Sequence, residues 1–389
     1  MFLVFLIIFC TNSSLNGAKL EPKVGLFWGQ NEAYNKFGVK AQEASLKSFC
    51  DRGIYDVIIL RGVQHCSFNG KLAAMPALNF ANHCHQRRSA WYAKYQYLEC
   101  PSMEDDIRYC QVNGVKILLD IGGLGYHIIF SSRTEALEFS KQIWFAFLGN
   151  WRYSTRTFGQ DIILDGINLS LHSSANPFMS DFLHDLRDRM ENDWKKTYLI
   201  TASPPCYKES YSFFQTYSKV FDRIFIDFTL HRRCEYKGPS SGQSKVDFLL
   251  DTDWFTRDTR PELRSFWFVL SASSFTKGLY LTRGEIDELV KKSKHRKITL
   301  KGIVLNEASF DAHNMDNGET LSMTIYRVMG GSLQQAKQSI ENIKKKKEGP
   351  PVCKAGSLCL RDRNASSKIS PPYFTILIAS IVFMMFIFM

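Results

Sequence analysis

The stretch Ile162-Ile163-Leu164-Asp165-Gly166-Ile167-Asn168-Leu169-Ser170-Leu171-His172 is aliphatic through its middle and alternates with small polar residues at its end. Continuous apolar runs of this length suit strands buried on both faces, as in parallel sheets. The stretch supplies one such run, at 166–171, and seven others lie at 24–28, 57–61, 116–121, 198–202, 223–228, 266–270 and 302–305. Helix-like stretches fall between them, at 104–113, 134–148, 176–194, 283–292 and 319–329. In 176–194, Phe178, Phe182, Leu186 and Met190 recur every four residues and form an apolar stripe. Strands alternating with helices predict a parallel α/β fold, and eight such units predict a (β/α)8 TIM barrel. A doubly wound open sheet is the alternative, but no glycine-rich nucleotide loop follows the first strand.

Of the 389 residues, 45% are hydrophobic and 22% charged, a balance that supports a packed core and excludes a disordered chain. The formal charge of +11 suits acidic partners such as anionic glycans or membrane surfaces, or else a solubilising basic surface. No compact nucleic-acid motif accompanies it, so no nucleic-acid partner is expected. Residues 1–18 read as a secretory signal peptide, apolar from Met1 to Ile8, with Asn16-Gly17-Ala18 as the small-residue cleavage site. The folded barrel is expected over 23–330. A basic, proline-containing stalk follows over 331–372, with a lysine run from Lys344 to Lys347 and then Gly349-Pro350-Pro351. Residues 373–389 are an apolar tail preceded by Asn364-Ala365-Ser366-Ser367 and a short spacer. This arrangement predicts a glycolipid (GPI) anchor attached at Asn364, with a short transmembrane tail as the alternative. Either one sends the chain through the secretory pathway to the cell surface.

Ten cysteines minus Cys10 of the signal leave nine, and a secreted chain uses most of its cysteines in disulfides. An odd number implies a free thiol or an intermolecular bridge. Cys353 and Cys359 are close enough in sequence to bridge each other.

Several ordered motifs resemble the plant and fungal class III chitinases of glycoside hydrolase family 18, the hevamine-like group. They are Val24-Gly25-Leu26-Phe27-Trp28-Gly29-Gln30-Asn31 at the first strand and the run from Arg108 to Leu119 ending in Gly122-Gly123. The others are Leu164-Asp165-Gly166-Ile167, Thr201-Ala202-Ser203-Pro204-Pro205-Cys206 and Gly302-Ile303-Val304-Leu305. The resemblance covers about 23–329. It implies the disulfides Cys50–Cys110, Cys84–Cys100 and Cys206–Cys234, which leaves Cys66 as the odd thiol if Cys353 pairs with Cys359.

The resemblance also implies a chemistry that this chain departs from. The family's motif D-G-x-D-x-D-x-E ends in a proton-donating glutamate. The substrate's own acetamido oxygen attacks, held by the preceding aspartate and a tyrosine. Here Asp165 keeps the first acid, whereas Asn168 and Ser170 stand at the next two acidic positions and His172 at the proton donor. Thr229 stands for the tyrosine and Asn306 for the tryptophan that floors the sugar site. Five changes together imply a chitinase-like protein without the family's catalysis, needing no cofactor. A general acid contributes about 10²–10⁴-fold, so its loss alone is severe.

Asp120, His172 and Asp227 share inward strand parity. They are candidates for a different hydrolytic or metal-binding site, or for a hydrogen-bonded polar filling of the old pocket. No compact metal motif supports them, so no metal is expected. Glu307, next to Asn306, points away by the same parity. Two loops look enlarged, at 32–47 and between Cys84 and Cys100. The second holds Arg88, Trp91, Tyr92 and Tyr95, which either anchor a glycan or extracellular protein partner or pack down as a cover. A chitinase-type hydrolase of residual or altered activity is the alternative function.

Overall fold

The structure is a computed structural model and describes residues 23–67, 75–84, 99–122, 128–149, 156–170, 177–207, 217, 219–238, 242–251, 266–276 and 278–348. Eight parallel strands close into a barrel. They are β1 (Lys23–Trp28), β2 (Tyr55–Ser67), β4 (Lys116–Gly122), β5 (Gly166–Ser170), β6 (Leu199–Ser203), β7 (Arg223–Asp227), β8 (Phe266–Leu270) and β9 (Leu300–Leu305). Neighbours follow chain order, and β1 pairs with both β9 and β2, so the sheet has no free edge within the ring. A short strand β3 (Met75–Leu78) runs antiparallel along the far end of β2. Each of the eight apolar runs in the sequence becomes a barrel strand, which excludes the open doubly wound sheet.

The described helices are α1 (Glu32–Phe37), α2 (Leu46–Cys50), α3 (Glu104–Val112), α4 (Arg133–Ile143), α5 (Met179–Glu191), α6 (Lys245–Leu250), α7 (Arg283–His295), α8 (Ala308–His313), α9 (Leu321–Val328) and α10 (Leu333–Glu348). In α5, Phe182, Leu186 and Met190 are buried, as the four-residue spacing predicts. Helix α7 begins with a reciprocal capping box between Thr282 and Glu285, which satisfies donors that the first turn leaves open. After α4, residues Trp144–Leu148 continue as one wider π turn. The compact body extends to Ile340, because Ala336 and Ile340 of α10 are buried in its core. A second unit runs from Glu341 to Met389. Among the described residues no helix is long and apolar enough to cross a membrane.

Gly166 shows why the opening stretch carries a glycine. Its φ is +146°, and a Cβ there would sit 1.9 Å from the Leu199 carbonyl oxygen, so any side chain meets rigid backbone of β6. Asp165 precedes it and ties the strand's start. Its Oδ2 accepts from the Ile117 backbone N–H at 3.0 Å and from Gln111 at 2.9 Å. The disulfides Cys50–Cys110, Cys84–Cys100 and Cys206–Cys234 are all present. Cys66 lies in β2 as the register partner of Pro76. Cys353, Cys359, Asn364, the signal segment and the apolar tail lie outside the described residues.

Candidate functional site

Side chains alternate along each strand, so residues two apart share a face. Phe27, Val57, Ile59, Leu118, Phe225, Trp267, Val269 and Val304 form a separate apolar cluster inside the barrel. The same parity carried one step toward the strands' C-terminal ends gives Arg61, Asp120, Asp227 and Asn306. Functional groups of this fold gather at that end. Above the apolar plug the barrel therefore turns polar.

Arg61, Asp120, Asn168 and Thr201 are register partners across four adjacent strands. Their side chains join into a belt. Arg61 Nε donates to Asp120 Oδ2 at 3.4 Å. Asn168 Nδ2 and the Ser170 hydroxyl each donate to Asp120 Oδ1 at 2.7 Å. The hydroxyls of Thr201 and Ser203 donate to Asn168 Oδ1 at 2.8 and 3.2 Å. All these residues are buried, and Asp120 has no exposed surface. Burial pushes the Asp120 carboxyl up to about 6, while Arg61 and the two donors pull the other way.

Arg61 also stacks on Phe27, its guanidinium carbon 3.9 Å from the ring centre, and donates from Nη1 to the Asn306 carbonyl at 3.2 Å. Asn306 turns its side-chain oxygen to the Ala272 backbone N–H at 3.0 Å, which ties β9 to the loop after β8. Asp227 lies on the other side of the barrel. Its Oδ1 accepts from the Thr229 N–H at 2.6 Å and hydroxyl at 2.7 Å. Arg61 Nη2 and Asp227 Oδ2 are buried without a hydrogen-bond partner among the described residues. Burial raises the Asp227 carboxyl, and the two Thr229 hydrogen bonds and then the Arg61 charge partly offset this.

Asp120, Asn168 and Ser170 are thus brought together, while Asp227 and Thr229 form a separate pair. His172 lies outside the described residues, as do Arg88, Trp91, Tyr92 and Tyr95. Among the described residues no group of three or more His, Cys, Asp or Glu side chains is placed to hold a metal ion. Asn168→Asp would set a second carboxyl against Asp120. The pair would have to share a proton, and stability at pH 7 should fall by about 1–2 kcal/mol in urea unfolding, recovering at pH 5.

Two features escaped the sequence reading. Arg61 is one; a charged residue at the end of each of two adjacent apolar runs, Arg61 and Asp120, was the available signal. The second is a buried acidic group outside the barrel wall. Glu43, 3% exposed, accepts from the Gly29 N–H at 2.9 Å and contacts His83 Nε2 at 2.8 Å. Glu307 lies beside it and caps α8, accepting from the Phe310 N–H at 2.8 Å and from the Ser309 hydroxyl at 2.5 Å. Its outward parity is what places it there. Burial pushes Glu43 up to about 8 and Glu307 up to about 7, and drives His83 down to about 4. The Glu43–His83 contact has ion-pair geometry, while burial favours the neutral form of each group.

At the rim, the segments after β1 and β8 present aromatic rings to solvent. Phe37 and Phe275 are 45% and 61% exposed and meet edge to face at 5.5 Å. Lys36 Nζ lies 4.3 Å from the centre of the Phe275 ring.

A family model described as "Glycosyl hydrolases family 18" matches residues 65–260. Chitinase 1 of Rhizopus niveus is 27% identical over 308 residues, covering 79% of this chain and 57% of that protein, so the chain spans little more than half of that relative. Acidic endochitinase SE2 of Beta vulgaris is 31% identical over 237 residues, 61% of this chain and 70% of that protein. Among solved structures, the xylanase and alpha-amylase inhibitor protein of Scadoxus multiflorus shares the fold with a TM-score of 0.60 at 20% identity, over 80% of this chain and 99% of that one. The barrel, the family match over half the chain and the beet relative agree: this chain belongs to glycosyl hydrolases family 18.

Proposed function

We propose that this chain is a non-catalytic, chitinase-like protein that binds a glycan or an extracellular protein at the C-terminal face of its barrel. The observation that carries the reading is the engagement of Asp120. Its Oδ1 accepts from Asn168 and Ser170 and its Oδ2 from Arg61, so it is held as a structural acid within the belt. A glycosidase acid needs the opposite, a carboxyl free to reach the leaving oxygen. The exposed rings of Phe37 and Phe275 support binding at the rim, since aromatic groups anchor most recognition surfaces. That an inhibitor protein has the same barrel supports a protein partner as one form of this reading. The signal segment and apolar tail support a place at the cell surface, tested by release of the protein with a phosphatidylinositol-specific phospholipase.

The central test is hydrolysis of chitohexaose. Turnover should be absent, or at least about 10²-fold below that of a family member with an intact acid. His172→Glu should not restore it, because Asn168, Ser170, Thr229 and Asn306 also differ from the family motif. Efficient hydrolysis by the unmodified chain would sink the proposal. One observation favours a second reading, a hydrolase of altered specificity. Asp227 is a buried carboxyl raised above its usual range, with one oxygen that has no hydrogen-bond partner among the described residues, as suits a proton donor. Any hydrolysis that disappears in Asp227→Asn would favour it.

A further inference from the structure

The face of the barrel opposite the rim carries an unusual side chain. Trp194, in the connection from α5 to β6, is 88% exposed. A lone exposed hydrophobic side chain is ordinary on a protein surface, and what singles this one out is where it stands. Trp194 stands between two clefts of about 310 and about 540 Å³, and its ring forms part of the wall of each. Trp144, Met190 and Tyr198, which also line the clefts, are buried. Tyr198 is tied to Asp193 at 2.7 Å, and Asp193 accepts from the Lys195 backbone N–H at 3.0 Å, which fixes the turn that presents the indole.

The surroundings select the ligand. No other exposed large hydrophobic residue belongs to either cleft wall, so the ring is not part of an apolar patch of the kind protein interfaces use. The acids of the two clefts are Asp185, Asp188, Glu191 and Asp193; the bases are Arg187, Arg189, Lys195 and Lys196. Four of each leave the region near neutral, which gives no attraction to anionic lipid or nucleic acid. What remains is one flat aromatic ring, with Lys195 Nζ 5.8 Å from its centre and hydrogen-bonding groups on both sides. A pyranose matches this. Its C–H bonds carry partial positive charge toward the negative ring face, and its equatorial hydroxyls both donate and accept at the edge.

We propose that Trp194 and the two clefts beside it form a binding site for a neutral, linear polysaccharide, with one sugar on the indole and its neighbours in the clefts. The site is on the opposite end of the barrel from the rim and does not depend on the function proposed for that end.

The test uses the full chain with chitohexaose, cellohexaose and xylohexaose as neutral probes, and phosphatidylserine vesicles as an anionic one. At least one oligosaccharide should bind, and Trp194→Ala should weaken that binding at least tenfold with an unchanged unfolding midpoint, since the ring is exposed. The double variant Phe37→Ala/Phe275→Ala should keep it, which separates this site from the rim. Absence of binding to all three oligosaccharides, or binding that survives Trp194→Ala, overturns the proposal. So does a Trp194→Ala defect confined to the vesicles, which would make the ring a membrane contact.

Discussion

Arg61→Ala should lower the unfolding free energy at pH 7 by about 3–5 kcal/mol, the usual cost of removing one partner from a buried ion pair. Three contacts are lost at once. Asp120 loses the Arg61 cation at full burial, Phe27 loses a guanidinium stacked at 3.9 Å, and the Asn306 carbonyl loses a donor at 3.2 Å. The void left above the apolar plug adds a further cost. Protonation limits the damage, because Asp120 already sits near 6 with Arg61 present and rises further without it. The loss should therefore shrink as pH drops below 6. Asp120→Asn removes the charge that needs Arg61 but leaves the cation buried. In a double-mutant cycle the pair Arg61→Ala/Asp120→Asn should lose at least about 1 kcal/mol less than the sum of the single changes. Urea unfolding measures all three variants. A loss under 1 kcal/mol for Arg61→Ala, or strict additivity, would mean that the belt does not hold the barrel mouth together.

The belt also shows what the sequence could and could not convey. The barrel was legible because both faces of its strands are buried, so each strand is an apolar run that needs no partner to be recognised. The inward parity of Asp120 and Asp227 followed from the same alternation. Their partners did not. Arg61 meets Asp120 through the register between β2 and β4, a relation between residues 59 apart in sequence that no local pattern encodes. A charged residue followed by Gly62 at the end of an apolar run reads equally well as the first residue of a solvent loop. Glu43 was harder still. It sits in a polar stretch of the enlarged 32–47 loop, and only the packing of that loop against His83 and α8 buries it. Of the candidate group Asp120, His172 and Asp227, His172 lies outside the described residues and the two acids take different hydrogen-bond partners. Asp120 joins Asn168 and Ser170, and Asp227 joins Thr229. Arg61 Nη2 and Asp227 Oδ2 are two buried atoms at this end of the barrel without a hydrogen-bond partner among the described residues.

Glu43→Gln should leave stability nearly unchanged at acid pH and raise it at alkaline pH. In the native protein Glu43 is raised to about 8 and the adjoining Glu307 to about 7, both mainly by burial. A carboxyl whose folded pKa exceeds its unfolded value near 4.5 favours the fold while protonated. That contribution is fully present below pH 4.5 and is lost as pH rises toward 8. His83 works in the other direction. Burial lowers it to about 4, so its contribution is present above 6.5 and lost as pH falls toward 4. Glu32 opposes ionisation of Glu43, and Asp106 and Glu307 favour protonation of His83, so no neighbouring charge removes the asymmetry. Glutamine keeps an acceptor for the Gly29 N–H and cannot ionise. At pH 5 the variant should match the native protein within about 1 kcal/mol. At pH 8 it should be more stable by about 2–3 kcal/mol, a figure below the full shift because ionising one carboxyl of the pair holds back the other. The acid limb set by His83 should remain in both proteins. Chemical unfolding at pH 5, 6.5 and 8 checks each part. A difference between the two proteins that stays flat across that range would show that Glu43 is already ionised in the fold, with His83 as its cation.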